Sequence, residues 1–189
     1  MKSPNGSVLV AGACATAALT GATLASNAIG LTRLDLPWML GTSVTADRRL
    51  ARAAGWTLHA FNGVALARGY RAVWRRAGVG PNARRGALLG LVHGLASLGY
   101  MAAAPRVHPR PAVAGLRPFA PTAYGPAWIP AMVFGHMLYG AVFGACVAQE
   151  EASAARAGAD ASDRATTPRA QGGIGRPTVV VTPSARLST

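Results

Sequence analysis

The chain has 189 residues, a net charge of +13 and 51% hydrophobic residues, and its mean hydropathy of +0.26 lies only modestly above a soluble average. Its two cysteines, Cys14 and Cys146, lack Cys-x-x-Cys or Cys/His spacing, which excludes a disulfide framework and leaves them as small packing residues. The basic excess does not indicate nucleic acid: the nineteen Lys and Arg divide among connecting segments and tail, as flanks of apolar spans do, and no DNA- or RNA-binding signature accompanies them.

All charged side chains lie outside four windows, 3–32, 53–67, 86–105 and 118–149. Three are long enough to cross a bilayer as a helix of about 20 residues, and basic side chains stretch the shorter second one. The segregation predicts an all-α membrane protein: a four-transmembrane-helix bundle over 1–147, with spans at about 8–31, 53–74, 86–104 and 128–147, and a disordered cytoplasmic tail over 148–189.

The first span is read as a retained helix. Lys2 and the small residues around Ser26 resemble a signal peptide, but the uncharged stretch is longer than a signal core and is rich in Ala and Thr rather than Leu. After it, Asp35 caps a short interfacial helix with Pro37 in its first turn, or serves as an external acid that draws in a cation. Thr45 and Asp47 mark the start of the second span. That span continues past Arg68, Arg71 and Arg75, which share a helical face and snorkel.

The third span carries Gly86, Gly90 and Gly94 at four-residue spacing, a stripe that lets backbones approach closely, and Gly140 and Gly144 offer a similar surface on the fourth. Between these spans the proline-rich stretch 105–126 is expected to be extended, with no helix or strand. The fourth span tolerates Pro130 in its first turn. Trp56, Trp74 and Trp128 fall at expected helix ends and Trp38 just before a span, as membrane-interface tryptophans do. The tail from Ala148 has hardly any large apolar residues apart from Val179, Val180 and Val181 and cannot bury a core.

Twelve basic residues on the side of the N-terminus, second connection and tail, against seven on the other, place both termini in the cytoplasm.

Three histidines lie within spans. His59 and His136 open a shared pattern, with Asn62 and Gly63 after the first and Tyr139 and Gly140 after the second. Each pattern puts a polar group and small residues on one face, and the match suggests an ancient duplication of a two-helix unit. Helical rise puts His59, His136 and His93 roughly 9, 12 and 16 Å below the external surface, so they can meet in the outer half of the bundle. His59, Asn62, His93, His136 and Tyr139 thus form a candidate intramembrane polar cluster. Interhelical packing is the first reading, proton or substrate handling the second, and metal or haem ligation the third; no cofactor and no metal are expected, because no carboxylate or short His-x₃-His supports one.

The stretch from Leu36 to Thr42, Asp47-Arg48, His59-x-x-Asn62-Gly63, Gly90-Leu-Val-His-Gly94 and His136-x-x-Tyr139-Gly140 together resemble a group of small bacterial inner-membrane proteins of unknown function. The resemblance covers about 8–147 and implies four membrane helices, with no activity; Arg68 and Arg71 interrupt a stretch that is mainly apolar in that group. The expected protein is a structural or assembly component rather than an enzyme. Its partners are the lipid bilayer and a second copy or another membrane protein, and a transporter, channel or proton-handling role is the alternative.

Overall fold

A computed structural model describes residues 4–166. It contains six helices: α1 (Pro4–Ala28), α2 (Leu36–Thr42), α3 (Arg48–Arg76), α4 (Ala83–Val107), α5 (Pro111–Ala114) and α6 (Trp128–Thr166). Two compact units divide the chain, Met1–Ala154 and Ala155–Thr189, so α1 to α5 lie in the first and the last turns of α6 in the second.

Local chemistry sets the boundaries. Asp35 accepts a hydrogen bond from the Trp38 amide and caps α2, with Pro37 in the first turn. Asp47 accepts from the Arg49 and Leu50 amides at the start of α3, and Asn82 from Arg85 at the start of α4. After α1, the Asn27 side chain accepts from the Leu34 amide and the Thr32 hydroxyl, while its amide donates to the Leu34 carbonyl. This Asn-centred turn, with Gly30 at φ +77°, stops the first helix at Ala28 rather than near Leu31.

Three helices, α1, α4 and α6, are long and apolar enough to cross a membrane. They support a multi-pass membrane protein. By composition α3 falls short, because arginines at both ends dilute an apolar middle.

Two further segments differ from the sequence expectations. The fourth helix does not end near Val147 but runs to Thr166 through a polar, Ala-rich stretch, whose residues favour helix without a core to bury. Of the expected tail, 148–166 thus lies within this helix, and the rest falls outside the described residues. The stretch 105–126 is not purely extended: α4 continues through Pro105 to Val107, α5 forms a single turn, and Ala123 and Gly125 make an isolated bridge.

The long helices form two antiparallel pairs. Along α1 and α3, a Cβ placed on Gly12 meets Ala67, one placed on Gly63 collides with Thr16, and the Thr20 hydroxyl meets His59. Each step of four residues up one helix is a step of four down the other. Along α4 and α6 the same ladder matches Asn82 with Gly144, Gly86 with Gly140, Gly90 with His136 and Gly94 with Val133. The Gly86, Gly90, Gly94, Gly140 and Gly144 stripe thus brings two backbones into direct contact, which any Cβ at Gly86, Gly90, Gly140 or Gly144 would wedge apart. Gly41 and Gly55 do the same for α2 on α3, a contact the sequence reading did not include.

One apolar core joins α1, α3 and α6 through Val8, Ala15, Leu19, Tyr70, Trp74, Tyr139 and Phe143. A second lies toward the other end of the helices, around Met39, Met101, Tyr124, Trp128 and Met132. Trp74 and Trp128 are buried in these cores rather than placed at an outer interface: Trp74 stacks on Phe143 at 5.6 Å, and Trp128 donates to the Ala120 carbonyl.

Candidate functional site

α4 and α6 bring His93 and His136 together, with ring centroids 4.4 Å apart and nearly perpendicular planes. The close backbone approach at Gly90 and Gly94 makes this possible, because both glycines pack on the turn of α6 that carries His136. His136 Nδ1 lies 2.7 Å from the Met132 carbonyl of its own helix, and Nε2 lies 3.3 Å from the Ser97 hydroxyl on α4. The Ser97 hydroxyl is also 2.9 Å from the His93 carbonyl.

Proton counting constrains this group. A carbonyl only accepts, so His136 Nδ1 carries a proton, and in the neutral ring Nε2 must accept one from Ser97. Ser97 has a single hydroxyl proton and two acceptors for it, His136 Nε2 and the His93 carbonyl. A doubly protonated His136 would donate to both Met132 and Ser97, freeing Ser97 to donate to His93.

Tyr139, three residues along α6, crosses to α3 and donates its hydroxyl to the Gly63 carbonyl at 2.5 Å. Tyr70 of α3 stands between the two groups, edge-on to Tyr139 at 5.8 Å and to His93 at 6.5 Å. Three polar atoms around it, Tyr70 Oη, Trp74 Nε1 and His93 Nδ1, are buried without a hydrogen-bond partner among the described residues. Such atoms are rare in folded proteins because each carries a desolvation cost.

His59 makes its contacts on the α1 side. Its Nε2 is 3.0 Å from the Thr20 hydroxyl, its ring lies edge-on to Trp56, and it lines a cavity of about 140 Å³ with Thr20, Asn27, Asp35 and Arg52. Thr20 donates to the Thr16 carbonyl at 2.7 Å, so His59 is the donor in their contact. Asn62, the fifth member of the expected cluster, is exposed. Asp35 pairs with Arg52 at 3.0 Å in addition to capping α2.

The paired helices repeat one another. Each half runs long helix, short helix with proline in its first two positions, long helix. In each, a histidine on the second long helix meets a hydroxyl 39 residues earlier on the first. The residue shift that carries Thr20 onto Ser97 also carries His59 onto His136 and Gly63 onto Gly140. Thr20 and Ser97 thus extend to the first and third spans the correspondence that the His-containing patterns give for the second and fourth.

No protein family, curated protein or solved structure matches the chain. The resemblance read from its motifs therefore gives no family. What stands is a small all-α protein with several apolar helices of membrane-spanning length. Among the described residues, no three His, Cys, Asp or Glu side chains come together in a way that would hold a metal ion.

Proposed function

We propose that the chain is a four-span integral membrane protein of the bacterial inner membrane, with α3 as the fourth span and both termini cytoplasmic, and that its bundle serves a structural or assembly role beside a second copy or another membrane protein. The observation that carries the structural role is how polar groups are used within and between the helix pairs: His59 on Thr20, His136 on Ser97 and Tyr139 on Gly63 each join two helices. Hydrogen bonds of this kind hold helices together where lipid offers none. For α3, the outward face carries Trp56, Phe61 and Ala65 at its middle, and the arginines gather at its two ends. Val10, Leu24, Leu88, Val92 and Phe134 face outward from the other helices, an apolar surface suited to lipid. Four long helices crossing in alternate directions put the α3–α4 connection on the same side as both termini, the side with more arginine.

Reporter fusions after Arg85 and after Thr189 test the topology, and both should give a cytoplasmic signal. A periplasmic signal at either point refutes it.

A second reading, proton handling, is favoured by one observation: Ser97 has one proton for two acceptors, while the His93 ring packed on His136 has a buried Nδ1 with no partner among the described residues. Proton flux into proteoliposomes driven by a pH gradient tests it. A flux abolished by His136→Gln supports the reading, and the absence of flux above empty liposomes refutes it.

A further inference from the structure

At the end of the bundle where α1 finishes and α6 begins, a cavity of about 580 Å³ opens between α2 and the segment that follows α5. Two arginines, Arg33 and Arg117, line it together with Asp35, Trp38 and Tyr124. Tyr124 is buried and holds both arginine main chains: the Arg33 amide donates to the Tyr124 carbonyl at 2.7 Å, and the Arg117 amide donates to the Tyr124 hydroxyl at 3.0 Å. The opposite wall is pinned as well. Trp38 Nε1 donates to the Val113 carbonyl at 3.0 Å, and Arg110 donates to the Thr42 and Ser43 carbonyls.

The charges within this frame are unequal. Asp35, the acid of the cavity, is already spent on Arg52 and on the Trp38 amide. The guanidinium groups of Arg33 and Arg117 have no ion-pair or hydrogen-bond partner among the described residues. The cavity is therefore net cationic, with aromatic walls from Trp38 and Tyr124.

We infer that this cavity binds the phosphate of an anionic phospholipid headgroup. Guanidinium groups match phosphate oxygens by paired N–H donors, and tryptophan and tyrosine favour the headgroup level of a bilayer. The cavity lies just beyond the ends of two membrane-length helices, Arg33 five residues after α1 and Tyr124 four before α6, where headgroups are met. Its volume exceeds that of a phosphate ion and leaves room for a glycerol unit. The inference rests on the membrane reading above, whose failure would show in the reporter fusions and not in the measurement that follows.

The full chain, purified in a neutral detergent, is melted with and without short-chain phosphatidylglycerol, phosphatidylcholine or inorganic phosphate. Wild type should gain roughly 5 °C or more from phosphatidylglycerol at a hundredfold excess over its dissociation constant. It should gain little from the other two. The double variant Arg33→Gln/Arg117→Gln should lose most of that gain. Its melting temperature without lipid should match wild type, because main-chain amides rather than the altered side chains hold Tyr124. Arg75→Gln/Arg76→Gln, which removes equal charge from the opposite end, should keep the gain. Equal loss in both double variants would reduce the effect to net charge and overturn the site, as would no loss in either. An equal shift with inorganic phosphate would overturn the lipid assignment.

Discussion

The Tyr139 hydroxyl sits 2.5 Å from the Gly63 carbonyl and ties α6 to α3 in the buried middle of the protein. α3 and α6 run parallel, and the same two helices are joined further along by Arg71 and Glu151 at 3.0 Å. Gly63 is thereby used twice: its carbonyl receives Tyr139, and its missing side chain makes room for Thr16 of α1. One residue thus couples α3 to two neighbours.

Tyr139→Phe should lower stability by about 0.6 to 1.7 kcal/mol, the range of single interhelical hydrogen bonds in membranes, because the ring remains packed and only the bond is lost. Gly63→Ala should cost more, about 1 to 3 kcal/mol, since the added methyl displaces Thr16. Denaturation in detergent gives both values. A larger loss for Tyr139→Phe than for Gly63→Ala would show that the hydrogen bond dominates this contact.

The α4–α6 glycines predict a graded series. A Cβ on Gly90 would collide with the His136 backbone, one on Gly94 would lie 3.0 Å from the Val133 Cα, and one on Gly99 would meet nothing within 4 Å. Gly90→Ala should therefore destabilise by about 1 to 3 kcal/mol and Gly94→Ala by less, while Gly99→Ala should be neutral or slightly stabilising. Gly90→Leu should also exceed His93→Gln, which keeps a hydrogen-bonding group. Equal effects at Gly90 and Gly99 would contradict the backbone contact.

Features fixed by neighbours in sequence were legible from the chain. The caps at Asp35 and Asp47 depend on amides two or three residues away, and the Gly86, Gly90 and Gly94 spacing carries its own helical face. The partner of each face was not legible. Periodicity aligned His59 with Asn62 and Gly63, but it does not say which helix that face meets; the fold turns His59 toward α1 and leaves Asn62 outside. Thr20 left only a weak signal, a hydroxyl four residues after Thr16 in an apolar stretch. Trp74 looked like the wet end of a span because arginines surround it, yet an aromatic cluster with Tyr70 buries it.

His108 and Arg110 predict how α2 is anchored. His108 Nδ1 accepts from the Arg110 amide and Nε2 donates to the Met39 carbonyl at 3.0 Å, while the Arg110 side chain reaches carbonyls at the end of α2. Arg110→Ala should loosen the α2 end of the second core, and amide hydrogen exchange should rise over 36–43 and 108–116 while α4 and α6 stay protected. Uniform protection in the variant would mean that the Gly41 and Gly55 contacts with α3 suffice to hold α2.

The two equivalent histidines should hold opposite tautomers. His136 has Nδ1 against the Met132 carbonyl, so its neutral form carries the proton there. His59 has Nε2 against a Thr20 hydroxyl whose own proton is directed to Thr16, so its neutral form carries the proton on Nε2. Nitrogen-15 spectra of histidine-labelled protein separate protonated from bare ring nitrogens, and His59→Gln and His136→Gln assign the signals. At neutral pH the expected pattern is a bare Nε2 on His136 and a bare Nδ1 on His59. Ser97→Ala should leave the His136 tautomer unchanged, because Met132 and not Ser97 sets it, while moving the Nε2 signal as its hydrogen bond disappears. A His136 protonated on both nitrogens would mean that the contest for the Ser97 proton has been settled by taking up another, and would move the protein's assignment from packing to proton handling.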